Sequence, residues 1–301
     1  MPDNHHHHHD HMHHHHEEVS EKSVTYLFIS FLINMLLSVV EIIGGIIGGS
    51  VSLIGDALHN TSDAFSILIA VVAFKIGHKK ATKKYTYGFK RAEVIGAFVN
   101  LILLFISGLY LVIEGIERLI SPRPIDGWLI IWISLFALIV DAATAKISHC
   151  HAHHNTNMKM VFLHNLADAF GSIGVILSGA CVVLFNIYCV DGIIALIIAT
   201  YMIFQAAISF KPIVNILMNA APEHIDLNKI EKAIKKIKGV DDVHHIHVWC
   251  INEHDVSLEC HIKGQDLGLV HEINHLLSEQ FEIHHSNIQL ENEDCCHKCD
   301  L

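Results

Sequence analysis

Six apolar segments constrain this chain more than any other feature of its sequence. A helix of about 20 residues crosses a hydrocarbon core of about 30 Å, and a helix satisfies its own backbone hydrogen-bonding groups in lipid. The segments therefore predict an α-helical membrane bundle of six transmembrane helices, at residues 26–47, 51–76, 94–113, 128–148, 160–185 and 192–210. The alternative, a soluble protein with buried helices, would need a larger polar shell than 301 residues supply.

Basic residues are distributed unevenly among the loops between these segments. Seven Lys and Arg residues lie from Lys75 to Arg91, around the loop after the second segment, and Lys146 and Lys159 bound the loop after the fourth. Because cytoplasmic loops carry an excess of Lys and Arg, both termini are predicted to lie in the cytoplasm. The net charge of -11 provides no overall basic surface, so no nucleic-acid partner is expected.

Composition divides the chain into four parts. Residues 1–22 form a tail with ten histidines, which we interpret as a metal-binding segment, with an expression tag as the alternative. Residues 23–211 form the transmembrane domain, and residues 292–301 form a Cys-rich tail. Between them, residues 212–291 predict a small cytoplasmic α+β domain with an antiparallel sheet. Its elements are a helix at 225–238, strands at 243–251 and 256–262, a helix at 267–281 and a strand at 286–290.

A seven-residue motif occurs in both the second and the fifth segment. Residues 59–65 and 164–170 agree at five of seven positions, and each copy places a His four residues before an Asp. Residues i and i+4 lie on one face of a helix, so each His–Asp pair can face one ion. Two imidazoles and two carboxylates suit tetrahedral Zn²⁺, and internal repeats often flank the substrate site of transporters. For either pair alone, a structural hydrogen bond is the alternative.

Other polar residues of the apolar segments leave several interpretations open. Asp56 is a candidate for lining an entry path, or for a position near the membrane boundary. Asn60 and its counterpart in the second copy of the motif fit interhelical hydrogen bonds better than metal ligation. Glu41 and Asp141 are candidates for a proton path, since an unpaired ionised carboxylate at membrane depth is costly. Pairing with Lys146 or with water is the alternative for Asp141.

Four stretches, at residues 45–63, 85–100, 164–172 and 244–249, resemble the cation diffusion facilitator family, particularly its bacterial zinc-efflux branch. The resemblance extends from about residue 24 to 291. It implies a homodimer in the cell inner membrane that exports zinc in exchange for protons, with a ferredoxin-like, metallochaperone-type cytoplasmic domain. In the family, the positions matching His59, Asp63, His164 and Asp168 form the transport site. A His at the first of these positions is associated with a preference for zinc.

The resemblance also implies a regulatory metal site in the cytoplasmic domain. His247, His261 and Glu291 match family positions that bind regulatory zinc. Cys296 and Cys299 form a Cys-x-x-Cys pair that resembles the C-terminal pair of some members. Zinc is thus expected both as the transported substrate and as a regulatory ligand.

Strand alternation adds an expectation about the histidines of this domain. Successive side chains of a strand point to opposite faces, so His245 and His247 are predicted to face one side of the sheet and His244 the other. His284 and His285 are further candidate ligands.

Two loops have composition suited to binding. Residues 149–154 contain four histidines and a cysteine, and we interpret this loop as gathering zinc, with a weakly binding solvated loop as the alternative. Residues 85–91 are basic and aromatic, which suits contact with anionic lipid or salt bridges across a dimer.

Three other functions compete with zinc export. The same scaffold could export cobalt, cadmium, nickel or iron(II), because affinity order alone does not select zinc. An intramembrane zinc enzyme would keep one ligand position open for water, whereas four side chains close the shell; the chain is therefore expected not to be an enzyme. A membrane metal sensor or store would account for the His-rich segments but not for ligands inside two spans.

Overall fold

The computed structural model describes residues 21–77, 79–152, 156–253 and 255–292. Six long helices come first, and all six are long and apolar enough to cross a membrane. They are α1 (Glu21–Gly48), α2 (Val51–Gly77), α3 (Ala92–Ile120), α4 (Gly127–Ala152), α5 (Thr156–Phe185) and α6 (Cys189–Leu217). The prediction of six spans is confirmed. Most of the His-rich tail, Cys296, Cys299 and part of the loop at 149–154 lie outside the described residues.

Glycines allow two pairs of helices to approach closely. A Cβ atom added at Gly127 of α4 would lie 2.7 Å from the carbonyl oxygen of Gly179 in α5. A Cβ atom added at Gly192 of α6 would lie 2.8 Å from the carbonyl oxygen of Gly115 in α3. Small residues at such contacts favour helix association in lipid, where backbones can then pack tightly. The α4–α5 and α3–α6 pairs are therefore the tightly packed units of the bundle.

The N-terminus of α2 is anchored by a buried carboxylate from α6. Asp191 is fully buried and accepts hydrogen bonds from the backbone N–H of Val51 at 2.7 Å and from the hydroxyls of Ser50 and Ser52 at 2.6 Å. The side chain of Arg118 on α3 donates to the carbonyl oxygen of Gly49 at 2.6 Å. The first N–H groups of a helix have no intrahelical partner, so this carboxylate caps α2 and limits its rotation.

A small α+β domain follows the six helices. It contains α7 (Leu227–Ile234), β1 (Asp242–Cys250), β2 (Val256–Lys263), α8 (Gly268–Phe281) and β3 (His285–Glu291). The strands are arranged in the order β1-β2-β3. The core of the domain lies between the sheet and the two helices and includes Ile230, Leu258, Ile262, Ile273 and Leu277.

The prediction of an antiparallel sheet is wrong for one of the two strand pairs. β1 and β2 are antiparallel, as a short connection at 251–255 allows, but β3 is parallel to β2. Because α8 crosses over the sheet between β2 and β3, the chain returns to its starting end and the third strand runs in the same direction as the second. α7, the first helix of this domain, is also shorter than the helix predicted at 225–238, because turns follow Ile234.

Candidate metal centre

The two copies of the repeated motif face each other across α2 and α5. Nε2 of His59 lies 3.1 Å from Oδ1 of Asp168 and 3.5 Å from Oδ2 of Asp63. Nε2 of His164 lies 3.3 Å from Oδ2 of Asp63 and 3.6 Å from Oδ2 of Asp168. The ligand atoms of His59, Asp63 and Asp168 all lie within 4.8 Å of one another. The structure thus brings together the four residues that the sequence singles out.

These distances match those between the ligands of one zinc ion. A tetrahedral Zn²⁺ has bonds of about 2.0–2.2 Å to nitrogen and oxygen, and the ligand atoms are then about 3.3–3.6 Å apart. The four measured separations range from 3.1 to 3.6 Å. His59, Asp63 and Asp168 form the group that could hold one metal ion, and His164 contacts both of its carboxylates without belonging to that group.

The centre is more open on one side than on the other. The side chains of Asp63 and His164 are 25% and 36% exposed, whereas those of His59 and Asp168 are 6% and 10% exposed. Asp63 is one turn nearer the C-terminal end of α2, and His164 is one turn nearer the N-terminal end of α5. Both ends border loops that the charge pattern predicts to be cytoplasmic. The opening therefore faces the predicted cytoplasmic side.

Tyr201 of α6 is a neighbour of the centre that sequence reasoning missed. Its ring makes an edge contact with the His59 imidazole, with the ring centroids 5.4 Å apart, and its hydroxyl accepts a hydrogen bond from Gln205 at 3.1 Å. A single aromatic residue in an apolar span carries no signal in the sequence, and only the packing of α6 against α2 reveals the contact.

A second polar cluster lies one turn away from the centre, on its closed side. The hydroxyl of Ser172 is 3.1 Å from a carboxylate oxygen of Asp56 and 3.1 Å from one of Asp141. Asn60 donates to Oε2 of Glu41 at 3.0 Å, which is the interhelical hydrogen bond expected for this residue. The structure gives Asp141 a partner in Ser172, whereas the sequence offered Lys146 or water.

In the cytoplasmic domain, His244 rather than the expected His247 lies beside His261 and Glu291. Nδ1 of His261 lies 3.0 Å from Oε1 of Glu291, and Nε2 of His244 lies 3.3 Å from Oε2 of Glu291. His247 instead lies beside His245, with their Nε2 atoms 3.2 Å apart. The described cluster that could hold a metal ion is therefore His244, His261 and Glu291.

A β-bulge explains this difference. His244 pairs with His261 and His247 pairs with Glu259, so two residues of β1 lie opposite one residue of β2. His245, inside the bulge, has φ of 53°. An extra residue reverses the alternation beyond it, and the rings of His244 and His245 both contact that of His261. The predicted opposite orientation of His244 is wrong; whether His247 binds metal stays a prediction.

The fold and the centre define a multi-pass membrane protein with a cluster of His and Asp side chains inside its helical bundle that could hold a metal ion. The chain belongs to the cation efflux family of membrane transporters: residues 27–218 match the cation efflux transmembrane domain, and residues 222–293 match the cytoplasmic domain of cation efflux proteins. The family identified from the sequence and the predicted fold class are thereby confirmed.

Curated relatives cover most of this chain. The cadmium, cobalt and zinc/H(+)-K(+) antiporter of Bacillus subtilis is 32% identical over 275 residues, which is 89% of this chain and 88% of the relative. The zinc transporter ZitB of Escherichia coli is 30% identical over 268 residues, which is 86% of this chain and 85% of the relative. The solved metal-bound C-terminal domain of the CzcD transporter is 30% identical, covers 22% of this chain and 99% of that domain, and has a TM-score of 0.21.

Proposed function

We propose that this chain exports Zn²⁺ from the cytoplasm in exchange for protons, through a transport site formed by His59, Asp63, His164 and Asp168. The observation that carries this proposal is the set of four ligand-atom separations of 3.1–3.6 Å between two helices. The opening of the site toward the predicted cytoplasmic side supports loading from that side. Export from the cytoplasm also agrees with the efflux named in the family descriptions.

Proton exchange follows from the chemistry of these ligands. Zinc requires a neutral imidazole and an ionised carboxylate, so its binding releases protons and weakens as pH falls. A site that meets acidic water on the far side therefore loses zinc and gains protons. The Bacillus subtilis relative carries the name of an antiporter, which supports the same direction of coupling.

Zinc is favoured over harder cations by the two imidazoles. Mg²⁺ and Mn²⁺ prefer oxygen ligands, whereas imidazole suits zinc and later transition metals. Cadmium and cobalt remain the second candidate substrates, because the same Bacillus subtilis relative is named for them. Competition between these cations in a flux assay separates the two substrate assignments.

The assembly and the cytoplasmic site belong to the same proposal. We place the protein in the cell inner membrane as a homodimer, with both termini in the cytoplasm, where positive loops are retained. His244, His261 and Glu291 would bind regulatory zinc, because two imidazoles and a carboxylate lie within 4.8 Å of one another. Further metal ligands on the cytoplasmic side stay predictions: His247, Cys296, Cys299 and the His-rich tail.

Zinc flux into proteoliposomes with an imposed pH gradient tests this function. Asp63→Asn and Asp168→Asn each remove an anionic ligand at nearly constant volume, and zinc flux is expected to fall to background in both. Asp241→Asn, an exposed carboxylate of the cytoplasmic domain, is the control and should keep wild-type flux. Wild-type flux in both site variants would overturn the transport site, and zinc binding without flux in the wild type would favour a sensor or store.

A further inference from the structure

Two buried carboxylates share one hydroxyl on the closed side of the metal centre. Oγ of Ser172 lies 3.1 Å from Oδ2 of Asp56 and 3.1 Å from Oδ2 of Asp141. A serine hydroxyl has a single hydrogen to donate, and an ionised carboxylate has none. One hydrogen shared between two acceptors points directly at neither, so both contacts are well-aligned hydrogen bonds only if one carboxyl group is protonated and donates to Ser172 while Ser172 donates to the other. The geometry therefore suits one bound proton.

Burial strengthens this conclusion. Ser172 is fully buried, and Asp56 and Asp141 are 2% and 6% exposed. Glu41, which interacts electrostatically with both of these carboxyl groups, is also fully buried. Its Oε2 accepts from Asn60, whereas its Oε1 has no hydrogen-bond partner among the residues that the structure describes. Several ionised carboxylates cannot be held together away from water without compensation, because each is costly to desolvate.

Groups from four helices surround these carboxyl groups. The titratable groups that interact most strongly with Glu41, Asp56 or Asp141 are these three residues themselves together with His59, His164 and Asp168. The two imidazoles among them are proposed metal ligands. The charge that can balance the carboxylates is therefore that of the imidazoles, of a bound metal ion, or of protons on the carboxyl groups.

The position of the cluster fits a proton that enters from the far side. Asp56 precedes His59 by three residues on α2, and Ser172 follows Asp168 by four residues on α5. Both displacements lead away from the more exposed pair, Asp63 and His164, and so away from the predicted cytoplasmic opening. The cluster thus lies between the metal centre and the compartment that receives the metal.

We propose that Asp56, Ser172 and Asp141, with Glu41 beside them, form a second proton-binding site, distinct from the metal ligands, whose proton is exchanged against the transported ion. This inference rests on the proposed zinc/proton antiport. When zinc loads from the cytoplasm, its two positive charges stabilise both ionised carboxylates and the shared proton leaves through the cytoplasmic opening to the water on that side. When zinc leaves, a proton from the receiving side rebinds and restores both hydrogen bonds to Ser172.

Counting the protons released on zinc binding tests the proposal. The full chain in lipid nanodiscs is titrated with Zn²⁺ by calorimetry, in buffers of different ionisation enthalpy at one pH, so that the proton count and the zinc affinity are measured together. Asp56→Asn and Asp141→Asn are each expected to release about one proton fewer per zinc than wild type, with zinc affinity within tenfold of it. These limits separate a proton site from a metal ligand, whose loss lowers affinity much further.

Two serine variants provide the matched comparison. Ser172→Ala removes the shared hydroxyl without changing charge. When the titration is repeated at several pH values, this variant is expected to shift the pH at which the extra proton is released. Ser178→Ala, on the same helix and equally buried, should behave as wild type. An unchanged proton count in both aspartate variants that bind zinc would overturn the second site. Wild-type zinc affinity in Asp63→Asn and Asp168→Asn would instead overturn the transport site, so the two failures are distinguishable.

Discussion

His59 lies closer to the carboxylate of the facing helix than to the carboxylate of its own helix. Its Nε2 atom is 3.1 Å from Asp168 on α5 and 3.5 Å from Asp63 on α2. His164 shows the same preference, at 3.3 Å from Asp63 and 3.6 Å from Asp168. Each imidazole thus joins the two helices, and the four side chains stay together only while α2 and α5 remain in register. In the proposed transport site, a small sliding or rotation of one helix would separate the ligands.

Changing one imidazole to a carboxylate should alter the choice of metal. His59→Asp replaces a nitrogen ligand that suits zinc with an oxygen ligand that suits harder cations. The ratio of Zn²⁺ to Mn²⁺ flux is expected to fall by about tenfold or more relative to wild type. Flux of both cations into proteoliposomes measures this ratio. His224→Asp, at an exposed position of the cytoplasmic domain, is the control, and an unchanged ratio in His59→Asp would contradict the ligand role.

The carboxylate that caps α2 should matter for stability more than an exposed cap does. Asp191→Ala leaves Ser50, Ser52 and the N–H of Val51 without their acceptor and Arg118 without its neighbouring charge. Removing one partner of such a buried network costs about 3–5 kcal/mol. The thermal midpoint of the detergent-solubilised protein is therefore expected to drop strongly.

Asp126→Ala provides the comparison for this cap. Asp126 accepts a hydrogen bond from the N–H of Leu129 at 3.1 Å at the start of α4, but it is exposed to solvent. Loss of an exposed cap costs about 1 kcal/mol, so the midpoint should change little. Equal midpoints for the two variants would show that Asp191 is not the anchor of α2.

Local pattern was sufficient for the helices and for the proximity of the four residues of the candidate centre. Apolar length alone identifies the six spans, since a bilayer imposes one length on all of them. The i, i+4 spacing places His59 beside Asp63 and His164 beside Asp168 whatever the packing. The duplication of the motif then predicts that the two pairs meet, and the structure places them together.

The features that escaped prediction depend on contacts between distant residues. The pairing of Ser172 with Asp56 and Asp141 requires three helices to pack in one arrangement, and no residue spacing encodes it. The bulge at His245 reverses strand alternation, because an inserted residue changes the face of each residue beyond it. The parallel direction of β3 likewise depends on how α8 crosses the sheet rather than on the residues of β3.

The cytoplasmic cluster gives a direct comparison between two histidines of β1. His244→Ala removes a side chain 3.3 Å from Glu291, whereas His247→Ala removes one that contacts His245. In a chain lacking residues 1–22 and carrying Asp63→Asn, zinc binding in the micromolar range should decrease by about one ion with His244→Ala and stay unchanged with His247→Ala. Equilibrium dialysis measures the bound metal. The reverse result would mean that the ligand set implied by the family resemblance forms when metal binds.

Cys260 should be an unreactive core thiol rather than a metal ligand. It is fully buried on β2, and burial raises the pKa of its thiol to about 12. The thiolate is the form that reacts and binds metal, and at pH 8 it amounts to only about one molecule in 10,000. Alkylation of native protein with a soluble maleimide at pH 8 should therefore spare Cys260, and alkylation after denaturation should label it. Because the pKa of this thiol is higher in the folded than in the unfolded protein, the unfolded thiol ionises first as pH rises. Raising pH from 9 toward 12 is therefore expected to destabilise the folded domain. Peptide mapping of the labelled protein decides the matter, and native labelling of Cys260 as fast as in the denatured chain would contradict its burial in the core.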